Sequence, residues 1–99
     1  MARKKGGYGK VDNEIVRDSS LTPESRLIYT LLAGYANSDR KCYPSVRTLI
    51  SESGMSQTRF YKHIDILVNR GIVKKERIME GNLARGTLYT LCDFGKNGD

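Results

Sequence analysis

The side chains that could do chemistry in this sequence are donors and acceptors without a reactive centre. Ser56, Gln57, Thr58, Arg59 and Lys62 crowd into residues 56–62. An amide, two hydroxyls, a guanidinium and an ammonium bind polar edges and anions, and nothing beside them activates a nucleophile. The chain has one histidine, and its two cysteines, Cys42 and Cys92, lack Cys-x-x-Cys or Cys/His ligand spacing, so they read as reduced, partly buried thiols. No His-Glu-x-x-His or Gly-x-Ser-x-Gly occurs, and Gly6-Gly7-Tyr8-Gly9 lacks the Gly-Lys-Ser/Thr ending of a phosphate-cradling loop. The acidic residues are scattered. These observations predict a binding protein and not an enzyme, with no cofactor and no metal.

Charge narrows the partner. Seventeen Lys and Arg against eleven Asp and Glu give +6 and a pI near 9.5, the bulk signature of a protein that meets phosphate-rich surfaces. The excess is concentrated. Residues 1–10 carry +4 through Arg3, Lys4, Lys5 and Lys10, and residues 56–77 carry six basic groups against two acidic, again +4. Residues 11–55 have five basic groups against six acidic, so the positive charge forms a local footprint. No apolar run approaches the roughly 18 residues of a membrane span, and the basic start leads into Gly-Gly-Tyr-Gly and not an apolar signal core. A cytoplasmic protein without membrane contact is expected. At 99 residues the chain has room for one core.

The elements that must position residues 56–62 can be read from caps and periodicity. Residues 1–10 read as a disordered basic arm, 11–92 as the folded domain and 93–99 as a flexible tail. Thr22-Pro23-Glu24 is a helix start, and Leu27, Ile28, Leu31, Leu32 and Tyr35 give a first helix to about Ala36 one apolar face. A short extended piece at Lys41 to Tyr43 precedes Pro44-Ser45, which opens a second helix with Val46, Leu49 and Ile50 inward. Gly54 supplies a turn, and Ser56 caps a third helix running to about Arg70, with Phe60, Ile64, Leu67 and Val68 inward and Gly71 as its stop. Opposite that stripe lie Thr58, Arg59, Lys62, Asp65 and Asn69. Tyr61 and His63 border it as packing residues with their polar tips in water, while Ile66 points outward. Most tyrosines fall at core spacing. Ile72–Met79 and Thr87–Leu91 read as strands of a hairpin with a loop over 80–86.

Three phrases then point the same way. Tyr43 to Leu49, Gly54 to Arg59 and Leu67 to Val73 together resemble the winged helix-turn-helix proteins over about Leu21 to Leu91. The entry phrase Leu21-Thr22-Pro23-Glu24-Ser25-Arg26 is similar to that of plasmid and phage replication initiators and primosome proteins of Gram-positive bacteria. The resemblance implies an α+β fold of three helices on a small antiparallel sheet with a β-hairpin wing. It also implies double-stranded DNA as the partner, with the third helix in the major groove. Gln57, Arg59 and Lys62 suit base edges, Ser56 and Thr58 suit phosphates, and Arg47 joins them from the second helix. In the wing, Asn82 and Arg85 lie at a loop free to reach DNA. Lys75 shares a strand face with Arg77, although such charges also protect an edge strand. Arg3, Lys4 and Lys5 would add salt-dependent affinity. A homodimer is implied by analogy with readers of two half-sites, serving transcription regulation or origin recognition. The competing reading is a protein-interaction module that docks replication proteins. A single-strand or RNA binder would need a platform of exposed aromatics.

Overall fold

The structure, a computed structural model, describes residues 11–92. The arm expected at 1–10 and the tail at 93–99 lie outside the described residues. Among these, the elements in chain order are α1 (Asn13–Val16), α2 (Pro23–Tyr35), β1 (Lys41–Cys42), α3 (Val46–Ser53), α4 (Gln57–Asn69), β2 (Val73–Glu80) and β3 (Leu83–Leu91).

Each long helix begins on a side-chain oxygen that takes up an orphan backbone amide. Thr22 Oγ1 accepts from the Ser25 amide at 3.1 Å, Ser45 Oγ from Thr48 at 3.0 Å and Ser56 Oγ from Arg59 at 3.2 Å. Such caps contribute about 1 kcal/mol each. Between α3 and α4 the chain reverses at Gly54, whose φ of 73° is left-handed and whose amide closes onto the Ile50 and Ser51 carbonyls. Only glycine adopts that angle without a steric cost.

The core forms where α2 and α4 cross over the sheet. Ile28, Tyr29, Leu32, Leu49, Phe60, Ile64, Leu67, Ile72, Val73 and Tyr89 are all within 1% of complete burial. The buried side of α2 is Ser25, Ile28, Tyr29, Leu32 and Ala33, rotated from the expected face. Its small members let α2 sit close to its neighbours, which leaves Leu27 41% and Tyr35 44% exposed. The unexpected one-turn α1 is held by tertiary contacts, since its Ile15 is buried and the Asp12 amide before it donates to Tyr29 Oη at 2.9 Å.

The sheet has the order β1-β3-β2, antiparallel throughout, with Cys42 opposite Tyr89 and Lys75 opposite Tyr89 on the other side. The β2–β3 hairpin departs from the expected 80–86 loop. Glu80 pairs with Leu83, so the connection is Gly81-Asn82 alone, and positive φ at Gly81 but not at Asn82 is the pattern of a type II′ turn. Ile78 pairs with Gly86 while Met79 pairs with Ala84, which makes Arg85 the extra residue of a bulge in β3. Together α3, the Gly54 turn, α4 and the hairpin make the winged helix-turn-helix architecture.

Candidate functional site

The direction in which α4 presents its side chains follows from which of them it buries. Phe60, His63, Ile64 and Leu67 face the body. At 100° per residue the buried centre is rotated by roughly 35° from the expected one, because His63 belongs to it and Val68 is only half-buried. The outward crest is therefore Thr58, Lys62, Asp65 and Asn69, all exposed, as the sequence predicts for these four. Arg59, expected opposite the stripe, stands instead on the flank toward α2. Its guanidinium donates to Glu24 Oε2 at 3.1 Å while the side chain remains 53% exposed. Ile66, expected to point outward, is half-buried against the core.

His63 is a further correction. It is 7% exposed and its Nδ1 lies 2.9 Å from Thr22 Oγ1, so its polar tip meets the cap of α2 and not water. Its Nε2 lies 4.0 Å from the same Glu24 oxygen that holds Arg59. The Glu24 backbone amide and the Arg59 guanidinium keep the Glu24 carboxyl below the usual range. At the far end of the same flank Arg70 lies 3.4 Å from Asp18. Hydrogen bonds from Ser20 hold the Asp18 carboxyl below its ordinary value. The buried side, His63 included, sets the roll of α4 about its own axis and hence what its crest presents, and these surface pairs line the flank toward α2.

The opposite flank faces α3 and the hairpin. Gln57 and Arg47 border a groove of about 400 Å³ floored by Val46 and Ile50. Tyr61, read from the sequence as a packing residue, is 39% exposed and packs edge-on to Phe60 at 5.7 Å. It holds the border position the sequence predicts for it, packed on one side and exposed on the other. Tyr35 and Tyr43 are also exposed, so three of the five described tyrosines lie outside the core where most were expected inside. Lys75 does share a strand face with Arg77, and its ammonium lies 4.0 Å from Asp65 on the crest. Asn82 sits at the hairpin turn. Arg85 is not in a loop but in β3, and its guanidinium pairs with the Glu80 carboxylate at 3.0 Å.

Pairing divides the cations into two groups. Arg59, Lys75 and Arg85 each have a carboxylate partner. Arg47, Lys62 and Arg77 enter no ion pair among the described residues. These three stand on three different elements, at the start of α3, on the crest of α4 and on β2. Ser56, Gln57 and Thr58 are exposed at the start of α4, beside the amide-rich end that attracts anions. Arg3, Lys4 and Lys5 lie outside the described residues. Burial pushes the Cys42 thiol up to about 11 and the Tyr89 phenol up to about 12, so both stay protonated in ordinary buffers. Cys92 is exposed, which corrects the expectation of partial burial for both thiols. Among the described residues no group of three or more His, Cys, Asp or Glu could hold a metal ion, and no helix is long and apolar enough to cross a membrane.

A family model described as a helix-turn-helix domain matches residues 19–73, from just before α2 to the first residue of β2, which is more than half of the chain. No curated protein and no solved structure matches.

Proposed function

Because the chain belongs to the helix-turn-helix domain family, we propose that it binds double-stranded DNA with sequence preference through the crest of α4 in the major groove. The single observation that carries this reading is the crest itself. Thr58, Lys62, Asp65 and Asn69 are exposed together on a helix whose one flank meets Glu24, Asp18 and Thr22. Lys62 suits the O6 and N7 of guanine, Gln57 the edge of adenine, and Asp65 can accept from cytosine N4. Ser56 and Thr58 suit phosphates, as do Arg47 from α3 and Arg77 from β2. Arg59, held by Glu24 on the flank toward α2, stays out of the base contacts in this reading. The Gly81-Asn82 turn and Arg85 lie against the neighbouring backbone or minor groove, and Arg3, Lys4 and Lys5 add affinity without sequence preference.

The reading assigns the chain no catalytic step and no cofactor, and places it in the cytoplasm. Two copies address two half-sites, in transcription regulation or in origin recognition of a plasmid or phage, a setting suggested by the phrase Leu21 to Arg26. Selection of bound duplexes from a random pool tests the proposal. A defined site should emerge, and Lys62→Ala with Gln57→Ala should relax its base preference at distinct positions by about 1–3 kcal/mol each. Equal affinity for single strands, or a pool that stays random, overturns it.

A further inference from the structure

His63 lies outside the proposed contacts, and its surroundings are arranged around a proton. It is the only histidine of the chain, and it faces the start of α2 with 7% of its surface exposed. In a buried network each hydrogen has to be assigned to one partner. The Ser25 hydroxyl donates to the Thr22 carbonyl at 2.9 Å, so the 2.9 Å contact between the two hydroxyl oxygens takes the single Thr22 proton. Toward His63 Nδ1, also at 2.9 Å, Thr22 Oγ1 can then only accept. Nδ1 therefore carries the hydrogen of the neutral ring, and Nε2 turns a bare lone pair toward Glu24 Oε2 at 4.0 Å. That same oxygen accepts from the Arg59 guanidinium at 3.1 Å. The other charged groups on the neighbouring elements are engaged elsewhere or stand on the crest. Arg26 of α2 donates to the Val16 carbonyl, Arg70 of α4 pairs with Asp18, and Lys75 of β2 pairs with Asp65, which shares the crest with Lys62.

We propose that His63 is a proton-operated switch on Arg59: a proton taken up from solvent at Nε2 makes an imidazolium that claims the Glu24 carboxylate, and the Arg59 guanidinium is released to a DNA phosphate. Charge balance drives the exchange. One carboxylate neutralises one cation, so a trio that is neutral with an uncharged ring carries a surplus positive charge once the ring is protonated. Glu24 stays ionised through the change, because its carboxyl is held below the usual range. The surplus falls where it can act. The ring is buried and tied to Thr22, whereas the Arg59 side chain is 53% exposed in the first turn of α4, beside Thr58. From there a guanidinium can meet the sugar-phosphate backbone that borders the groove without entering the base contacts. Histidine is the side chain that gains its charge as pH falls from about 8 to 5, so duplex binding strengthens in that direction. The inference rests on the duplex reading and adds a control over it.

Fluorescence anisotropy of the full chain on a labelled mixed-sequence duplex, at about pH 7.5 and about pH 5.5, tests it. At the lower pH the slope of log affinity against log salt should steepen by about 0.9, the contribution of one phosphate contact. Arg59→Gln should keep the shallow slope at both pH values. Glu24→Gln should show the steep slope at both, because its arginine has no carboxylate to leave. Both side chains are partly exposed, so neither substitution opens the core. A wild-type slope indifferent to pH, or an Arg59→Gln variant that steepens as much as the wild type, overturns the switch and leaves duplex binding standing. The free chain gives a readout without DNA: in an NMR titration the Arg59 guanidinium resonance should move with the same midpoint as the His63 ring. A guanidinium that ignores the ring overturns the inference, whereas failure to bind any duplex counts against the DNA reading itself.

Discussion

Replacing Arg47, Lys62 and Arg77 together by glutamine should flatten the salt dependence of duplex binding, and the size of the change follows from their lack of partners. A cation that neutralises a phosphate releases a condensed counterion, and each such contact contributes about 0.9 to the slope of log affinity against log salt. Three contacts contribute about 2.7, so a fourfold rise in salt should weaken the variant about 40-fold less than the wild type. The Arg59–Glu24 pair provides the control. Its guanidinium already faces a carboxylate at 3.1 Å, so removing both charges with Arg59→Gln and Glu24→Gln should leave the slope close to the wild-type value. Fluorescence anisotropy with a labelled duplex over a range of potassium chloride concentrations measures both. If the triple variant keeps the wild-type slope, or the pair deletion lowers it as far, then pairing does not decide which cations reach DNA and the reasoning fails.

Three further outcomes concern the scaffold. Phe60→Ala empties a fully buried position under α4 and should cost about 3–5 kcal/mol in a urea melt. Gly54→Ala meets no atom but must hold a φ of 73°, so it should lose about 1 kcal/mol by the same measurement. Stability should also fall at high pH. Cys42 and Tyr89 ionise in the unfolded chain near 9 and 10 but in the folded one only near 11 and 12. Their contribution is intact below the lower values and declines as pH rises through the window, by roughly 2–3 kcal/mol apiece. Thermal melts of the wild type and Cys42→Ala should differ in where the decline begins, the variant holding until Tyr89 titrates.

Short-range chemistry was the legible part of this sequence. Thr22, Ser45 and Ser56 cap helices, and Gly54 and Gly71 take the left-handed angles their positions suggest, because each acts through neighbours a few residues away. Rotation about a helix axis was read less well. Leu27 and Tyr35 looked like core, yet Ser25 and Ala33 are inside, since close packing rewards small residues that a count of apolar side chains ignores. His63 reads as a border residue until Thr22, 41 positions earlier, is brought against it. With His63 on the buried side of α4, Arg59 falls on the flank and off the crest. The hairpin turn was read too long because Leu83, Ala84 and Arg85 carry weak strand signals, and only pairing with β2 shows them to be strand.

The interactions that set the roll of α4 are separate from the residues on its crest: Phe60, His63, Ile64 and Leu67 hold the helix, with Arg59 and Arg70 as outriggers. Thr58, Lys62 and Asn69 contribute nothing to that framework, and Asp65 touches only the exposed Lys75. Substitution on the crest therefore leaves those buried contacts in place. On the proposed reading, target preference can therefore drift, or be rewritten in the laboratory, by changes along the crest while the framework that carries it stays fixed.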